Sequence, residues 1–317
     1  MKNILLIGGA GFIGSSLIER LTIESPEIRL FVVEPEGADV SQISNQNVTL
    51  CYAKLSDVSR ITAFIEQYNI DTLIHLVSTL VPSSTYEDFL YEFRCIVSPS
   101  IELMEVCTSH DVKFIYFSSG GTIYGNRQNM VPFKETDPML PISYYGWSKQ
   151  MMENGILFVH RTQKLKYLIL RPSNPYGQGQ NMHGRQGLIA VAMGAALFGE
   201  TLNIWGDGSA IRDYIYIDDL TSAVCQLLYK DVCNETINIG SGIGYSVNEV
   251  IDLIRNATGK KIEVKYKKPR SVDVSTVILD TAKLRENVDT HFRSLSDGIR
   301  VYFNGIKQYR DRPFDHI

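Results

Sequence analysis

NILLIGGAGFIGSSLIERL, residues Asn3 to Leu21, sets an aliphatic run directly before three spaced glycines, Gly8, Gly11 and Gly14, and a stretch with helical spacing after them. That order predicts a buried strand, a tight turn and a helix start. A diphosphate can approach such a turn only where side chains are absent, and the helix N-terminus then offers unpaired N–H groups and a positive dipole end. The first helical turn after the glycines carries Phe12 and Ile13, and the next apolar run, LFVVE, ends at Glu34. A carboxylate about twenty residues past the last glycine can accept both adenosine ribose hydroxyls and repel a 2'-phosphate. The pattern therefore favours NAD over NADP.

The same rhythm continues outward. TLIHLV, KFIYFSS and YLILRP are short apolar runs, and between them lie ITAFIEQYN, SIELMEVCTS and SKQMMENGILFVHRT, which have helical spacing. Strands covered on both faces and alternating with helices predict an α/β chain with a Rossmann-type, doubly wound parallel sheet. From Pro172 onward glycine-rich turns break the rhythm, with a helix expected near Gly187 to Phe198 and another opened by Ser246 and Glu249 in a capping-box pattern. The expected division is an NAD-binding domain over residues 1–172, to which the chain returns at about 213–240. A smaller C-terminal α/β lobe, 173–212 and 241–317, would hold the substrate.

Composition narrows the function classes. In 317 residues, 44% are hydrophobic and the formal net charge is -4, so no global field draws nucleic acid or an anionic membrane. The five cysteines are scattered, with no CxxC pair, which fits reduced thiols in a cytoplasmic protein and argues against a metal site. The opening Lys2 and apolar run read as a first strand rather than a signal peptide. LIAVAMGAALF from Leu188 is too short to span a bilayer, so no membrane insertion is expected.

In SYYGWSKQ, Tyr145 and Lys149 are four residues apart and share a helix face. With 17 tyrosines in the chain the spacing alone carries no weight. Its context does, because the pair opens a helix after FSSGGTIYG in a chain that begins with a dinucleotide loop. A phenol of ordinary pKa about 10 serves as base near neutrality only if its anion is stabilised by roughly 4 kcal/mol. A neighbouring ammonium and a positively charged nicotinamide both push that way.

GGAGFIG, TLIHLV, FSSGGTIYG, YYGWSK, LRPSNPYG, WGDGSAIRDYIYIDDL, INIGSG and RSVD together resemble the extended short-chain dehydrogenase/reductase family. Within it they are most similar to the nucleotide-sugar epimerase/dehydratase branch, in particular the UDP-galactose and UDP-N-acetylglucosamine 4-epimerases. The resemblance runs over nearly the whole chain. It implies Tyr145 as catalytic base, Lys149 as its partner and as a holder of the nicotinamide ribose, and Leu76 among the cofactor contacts. It also implies Asn174, Arg212, Arg270 and Asp273 around a nucleotide diphosphate, which arginine forks can bind by paired hydrogen bonds. A homodimer packed through the helices near Ser100 and Met152 is the implied assembly.

Departures from the family pattern are informative. Gly120 stands where many epimerases have a third serine, which leaves Thr122 as the hydroxyl able to bond the sugar O4 and relay its proton. Gly121 and Thr122 occupy the positions of the dehydratase acids, so a 4,6-dehydratase is disfavoured. The adenine-contact aspartate is replaced by Lys54 on ungapped counting, or is Asp57 if a short gap is allowed. Ile96 replaces an asparagine. Val277 stands where some epimerases have tyrosine, leaving space for a 2-N-acetyl group. These readings converge on an NAD-dependent 4-epimerase of a UDP-hexose or UDP-N-acetylhexosamine, working through a transient 4-keto sugar. The alternative is an NAD(P)H-dependent reductase of a dTDP- or NDP-4-keto-6-deoxy sugar in surface polysaccharide precursor synthesis.

Overall fold

The computed structural model describes residues 2–310 except 45, 128, 185 and 290. Its first half runs β1 (Asn3–Ile7), α1 (Phe12–Glu24), β2 (Arg29–Glu34), β3 (Val48–Tyr52), α2 (Val58–Tyr68), β4 (Thr72–His75), α3 (Tyr86–Glu92), α4 (Ser98–Ser109) and β5 (Lys113–Phe117). Then come α5 (Tyr144–Gln163), β6 (Tyr167–Pro172), β7 (Asn174–Tyr176), α6 (Leu188–Phe198), β8 (Thr201–Trp205), β9 (Ile211–Tyr216) and α7 (Ile217–Tyr229). The last elements are β10 (Glu235–Ile239), β11 (Gly244–Ser246), α8 (Val247–Thr258), β12 (Glu263–Lys267), β13 (Thr276–Val277), α9 (Ala282–Asn287) and α10 (Leu295–Arg310).

Seven parallel strands form the main sheet in the order β10-β6-β5-β4-β1-β2-β3. Strand side chains alternate between two cores, with Ile4 and Leu6 in one and Leu5 and Ile7 in the other. This two-sided burial is why β1 reads as an unbroken apolar run. The doubly wound α/β fold expected from the sequence is thus present. Strand order reverses between β1 and β4, and at such a switch point ligands bind beyond the strand ends.

β9 makes its ladder bonds to β7, β11 and β13 in a separate small sheet, and β12 pairs with β8. The chain therefore rejoins the main layer with α7 and β10, from Ile217, and not at residue 213. Local signals set the helix ends. Asp57 caps α2, Ser143 caps α5, and Ser246 with Glu249 forms the expected capping box on α8. All five cysteines are free thiols. Among the described residues, no helix is long and apolar enough to cross a membrane.

Candidate active site

At the switch point, Gly8 adopts φ +79°, a left-handed conformation that favours glycine. Gly14 is glycine for another reason, since a Cβ on it would lie 2.5 Å from the Gly9 carbonyl oxygen. Helix α1 therefore seats directly on the loop. Gly11 is its N-cap and supplies no side chain, so the N–H groups of Phe12, Ile13 and Gly14 are the orphan donors of the first turn. Leu76 and Val77 form the adjoining wall: Leu76 N donates to Ile7 O at 3.0 Å, and Val77 lies 3.2 Å from where a Gly8 Cβ would sit.

Glu34 ends β2, is only 8% exposed, and accepts a 2.7 Å hydrogen bond from Ala10 N. Burial pushes its pKa up, and the Ala10 N–H opposes that shift. The carboxylate thus braces the glycine loop as well as standing at the strand end. Of the two residues left open at the adenine end, Asp57 is spent on the cap of α2, accepting from Arg60 N and Ser59 Oγ. Lys54 is exposed just after β3.

The catalytic candidates meet beyond the ends of β4 and β5. Lys149 is buried, and its Nζ donates to Phe117 O at 2.9 Å and lies 5.6 Å from the Tyr145 ring centroid. Burial lowers Lys149 to about 8, against the opposing charges of Glu92 and Glu153. Tyr145 is pushed up to about 12, first by burial and further by Glu92, while a hydrogen bond with Ser119 pulls it down. Thr122 Oγ1 in turn donates to Ser119 Oγ at 2.9 Å. Thr122, Ser119 and Tyr145 thus bring three hydroxyls together, with an ammonium behind them. Gly146 permits this approach, because a Cβ there would come within 2.8 Å of the Thr122 carbonyl oxygen.

Gly120 now has a physical account. A Cβ on it would lie 2.5 Å from Leu279 Cδ1 and 2.9 Å from Arg171 O. Packing excludes a serine at this backbone position, and the hydroxyls sit at 119 and 122 instead. The loop is held from below by a buried network: Arg171 pairs with Glu153 at 2.6 Å and donates to Tyr124 Oη at 2.7 Å, and that phenol donates to Asn238 at 2.6 Å.

The substrate-side candidates are placed as follows. Asn174 donates to Asp213 O at 2.8 Å and stands beside Gly121. Arg212 donates to the carbonyls of Ile211, Ser275 and Val274, and burial lowers its pKa. Arg270 forks onto Asp273 through two 2.8 Å bonds and stacks 4.5 Å over Trp205. Val277 is 1% exposed, faces Arg212 in the β9–β13 register, and packs with Ile123 and Tyr124 under the loop that carries Thr122. Tyr145, Lys149 and Thr122 are therefore brought together, whereas both arginines are engaged with the protein itself.

Two residues at the centre escaped the sequence reading, Ser119 and Glu92. Ser119 was legible in principle, since it stands three residues before Thr122 in the same loop. Glu92 carried only one weak signal, a carboxylate four residues before the apolar Ile96 and so on the same helical face.

A sequence model of the NAD dependent epimerase/dehydratase family matches residues 4–240. The dTDP-4-dehydro-6-deoxyglucose reductase of Escherichia coli is 31% identical over 289 residues, covering 88% of this chain and 89% of that protein. The UDP-glucose 4-epimerase of Halalkalibacterium halodurans is 30% identical over 308 residues, covering 88% of this chain and 87% of that one. The solved structure of the UDP-glucose 4-epimerase of Thermotoga maritima with UDP-glucose superposes with a TM-score of 0.89 at 31% identity, covering 98% of this chain and 100% of that chain. With the glycine cradle, the uncapped helix and the terminal carboxylate of β2 all fitting a dinucleotide, the chain belongs to the NAD dependent epimerase/dehydratase family and is an enzyme that works with NAD.

Proposed function

We propose that this enzyme is a 4-epimerase of a UDP-hexose or UDP-N-acetylhexosamine. The observation that carries the reading is the hydrogen-bonded Thr122–Ser119 pair placed beside Tyr145, with Lys149 behind it. Thr122 and Ser119 bond the sugar O4, and Tyr145 as phenolate takes the O4 proton through them or directly. Bound NAD supplies a reversible hydride acceptor for C4. The resulting 4-keto sugar turns over so that C4 takes the hydride back on its opposite face, while the same hydroxyls return the proton to O4. Because they relay in both directions, they serve both half-reactions. Lys149 holds the phenolate by charge and remains anchored to β5 through Phe117 O.

Asn174, Arg212, Arg270 and Asp273 bind the nucleotide end in this proposal. Diphosphate oxygens would compete with Asp273 for Arg270 and with backbone carbonyls for Arg212. Val277 is packed in the core beneath the loop, so room for a 2-N-acetyl group there would need that cluster to open on binding. A dimer would use the outward faces of α4 and α5, where Ile101 and Phe158 are exposed; Ser100 and Met152 on these helices point inward and are buried.

The test is to incubate the purified enzyme with UDP-glucose and UDP-N-acetylglucosamine without added cofactor and to assay released NAD after denaturation. Epimerised product supports the proposal. The similarity to the Escherichia coli dTDP-4-dehydro-6-deoxyglucose reductase supports a second reading, reduction of a 4-keto-6-deoxy nucleotide sugar. NADH or NADPH consumption on such a sugar, with no UDP-sugar epimerised, would establish that reading instead.

A further inference from the structure

We propose that Glu92 is a positioning residue for the catalytic pair, a buried carboxylate that clamps the Ser78–Thr79 turn and supplies the negative charge against which the Lys149 ammonium is held. The inference rests on the Tyr145–Lys149 chemistry proposed above.

Glu92 ends α3 and is 2% exposed. Three donors converge on its two oxygens: Ser78 Oγ at 2.8 Å on Oε1, and Thr79 N at 2.8 Å and Thr79 Oγ1 at 2.7 Å on Oε2. The clamped turn directly follows Leu76 and Val77, the wall of the glycine loop. On its other side Glu92 is brought to α5 by Phe89, one turn earlier, which stacks on Trp147 with centroids 4.6 Å apart and on Tyr144 at 5.5 Å. Those two aromatics flank Tyr145 in sequence. A π-helical turn, Phe93–Val97, begins immediately after Glu92, and such turns recur at functional sites.

The charged and titratable groups around Lys149 leave this role to Glu92. Glu153 on α5 also faces Lys149 but is paired with Arg171 of β6. His75 on β4 is held neutral, lowered to about 3 by burial and by Lys149. Tyr116 on β5 lies with its ring centroid 4.9 Å from Lys149 Nζ and is pushed up by burial. Glu92 has no salt-bridge partner among the described residues, and its charge acts on Lys149 and Tyr145 in opposite chemical senses, favouring the ammonium and opposing the phenolate. It thus keeps the proton on lysine and keeps the phenolate dependent on bound cofactor and substrate.

The experiment is NMR titration of the holoenzyme labelled with [ε-13C]lysine, which requires no turnover. One resonance, missing in Lys149→Met, should titrate near 8, apart from the ordinary lysines. In Glu92→Gln its midpoint should fall by about one pH unit, the low end of the shift that an opposite charge produces. Ser78→Ala combined with Thr79→Val keeps the carboxylate but removes two of its donors, so the midpoint should hold or rise. An unmoved midpoint in Glu92→Gln, or a fall in both variants alike, overturns the proposal. The expected shift in an enzyme that epimerises no UDP-sugar sinks the substrate reading and leaves Glu92 in its role. An unmoved midpoint in an active epimerase does the reverse.

Discussion

Ser119 lies beside Tyr145, between the end of β5 and the start of α5, close enough for its hydroxyl to favour the phenolate, and Thr122 Oγ1 donates to Ser119 Oγ at 2.9 Å. Loss of the Tyr145 phenol in Tyr145→Phe should reduce turnover by about 10²- to 10⁴-fold, the range for a general base. Ser119→Ala and Thr122→Val should each cost about tenfold, the rate equivalent of one hydrogen bond of about 1.4 kcal/mol. Members of one relay act as a unit, so the double variant should be little worse than the poorer single one. Steady-state kinetics on the four variants check this, and strictly multiplicative losses would refute a relay.

Gly120 is set by packing rather than by chemistry. Gly120→Ser should destabilise the fold by about 1–3 kcal/mol, as overpacking does, because its Cβ meets Leu279 and the Arg171 carbonyl. Adding Leu279→Ala removes half of the obstruction, so the double variant should be more stable than the sum of the singles. Urea unfolding midpoints measure the coupling. Additive losses would mean that the loop accommodates serine without touching Leu279.

That glycine also shows where reading the chain alone runs out. The strand, turn and helix around Gly8 to Gly14 were legible because backbone sterics and dipole requirements act within a few residues. The pairing of Tyr145 with Lys149 was legible because both lie on one helical turn. Ser119 was legible only through its place three residues before Thr122, because the packing of its loop against Leu279, 160 positions away in the chain, shows only in the fold. Glu92 was harder still: its neighbours Ser78 and Thr79 come from another turn, and only its spacing to Ile96 hinted at burial. Arg212 and Arg270 were legible as charges, but Arg212's present partners, the Val274 and Ser275 carbonyls, are set by the β9–β13 register, while Arg270 pairs locally with Asp273 three residues on.

Lys149 should set the alkaline side of the rate profile. Burial lowers it to about 8, so the ammonium that supports the phenolate is present below that pH and is lost as pH rises through it. The kcat/KM of the free enzyme should therefore fall above about 8. Lys149→Arg keeps a cation that stays protonated over the accessible range. Its activity should be lower throughout but free of that alkaline fall. A descending limb unchanged in Lys149→Arg would assign the titration to another group.

The Glu153–Arg171 pair is buried at both ends, with side chains 0% and 4% exposed. Glu153→Gln leaves the guanidinium without its counter-charge, and breaking one partner of such a pair costs about 3–5 kcal/mol. Replacing both, as Glu153→Leu with Arg171→Met, should recover much of that loss. Thermal and urea unfolding check the order of stabilities, single variant lowest.

Gly14→Ala is the sharpest test of the cofactor cradle. The added Cβ would sit 2.5 Å from the Gly9 carbonyl oxygen and 2.7 Å from Gly9 Cα. Both neighbours are backbone, so no side chain can swing aside and the loop must lift from α1. Lifting it misaligns the orphan N–H groups of the first turn, which are the donors for a diphosphate. The strand core is untouched, because the same substitution adds no bulk between β1 and its partners β2 and β4. The expected outcome is a protein that still folds, destabilised by about 1–3 kcal/mol as overpacking does, and that releases little or no NAD on denaturation. Full retention of NAD would show that the cradle tolerates a side chain at this glycine, and the close approach of helix to loop would then play no part in holding the dinucleotide.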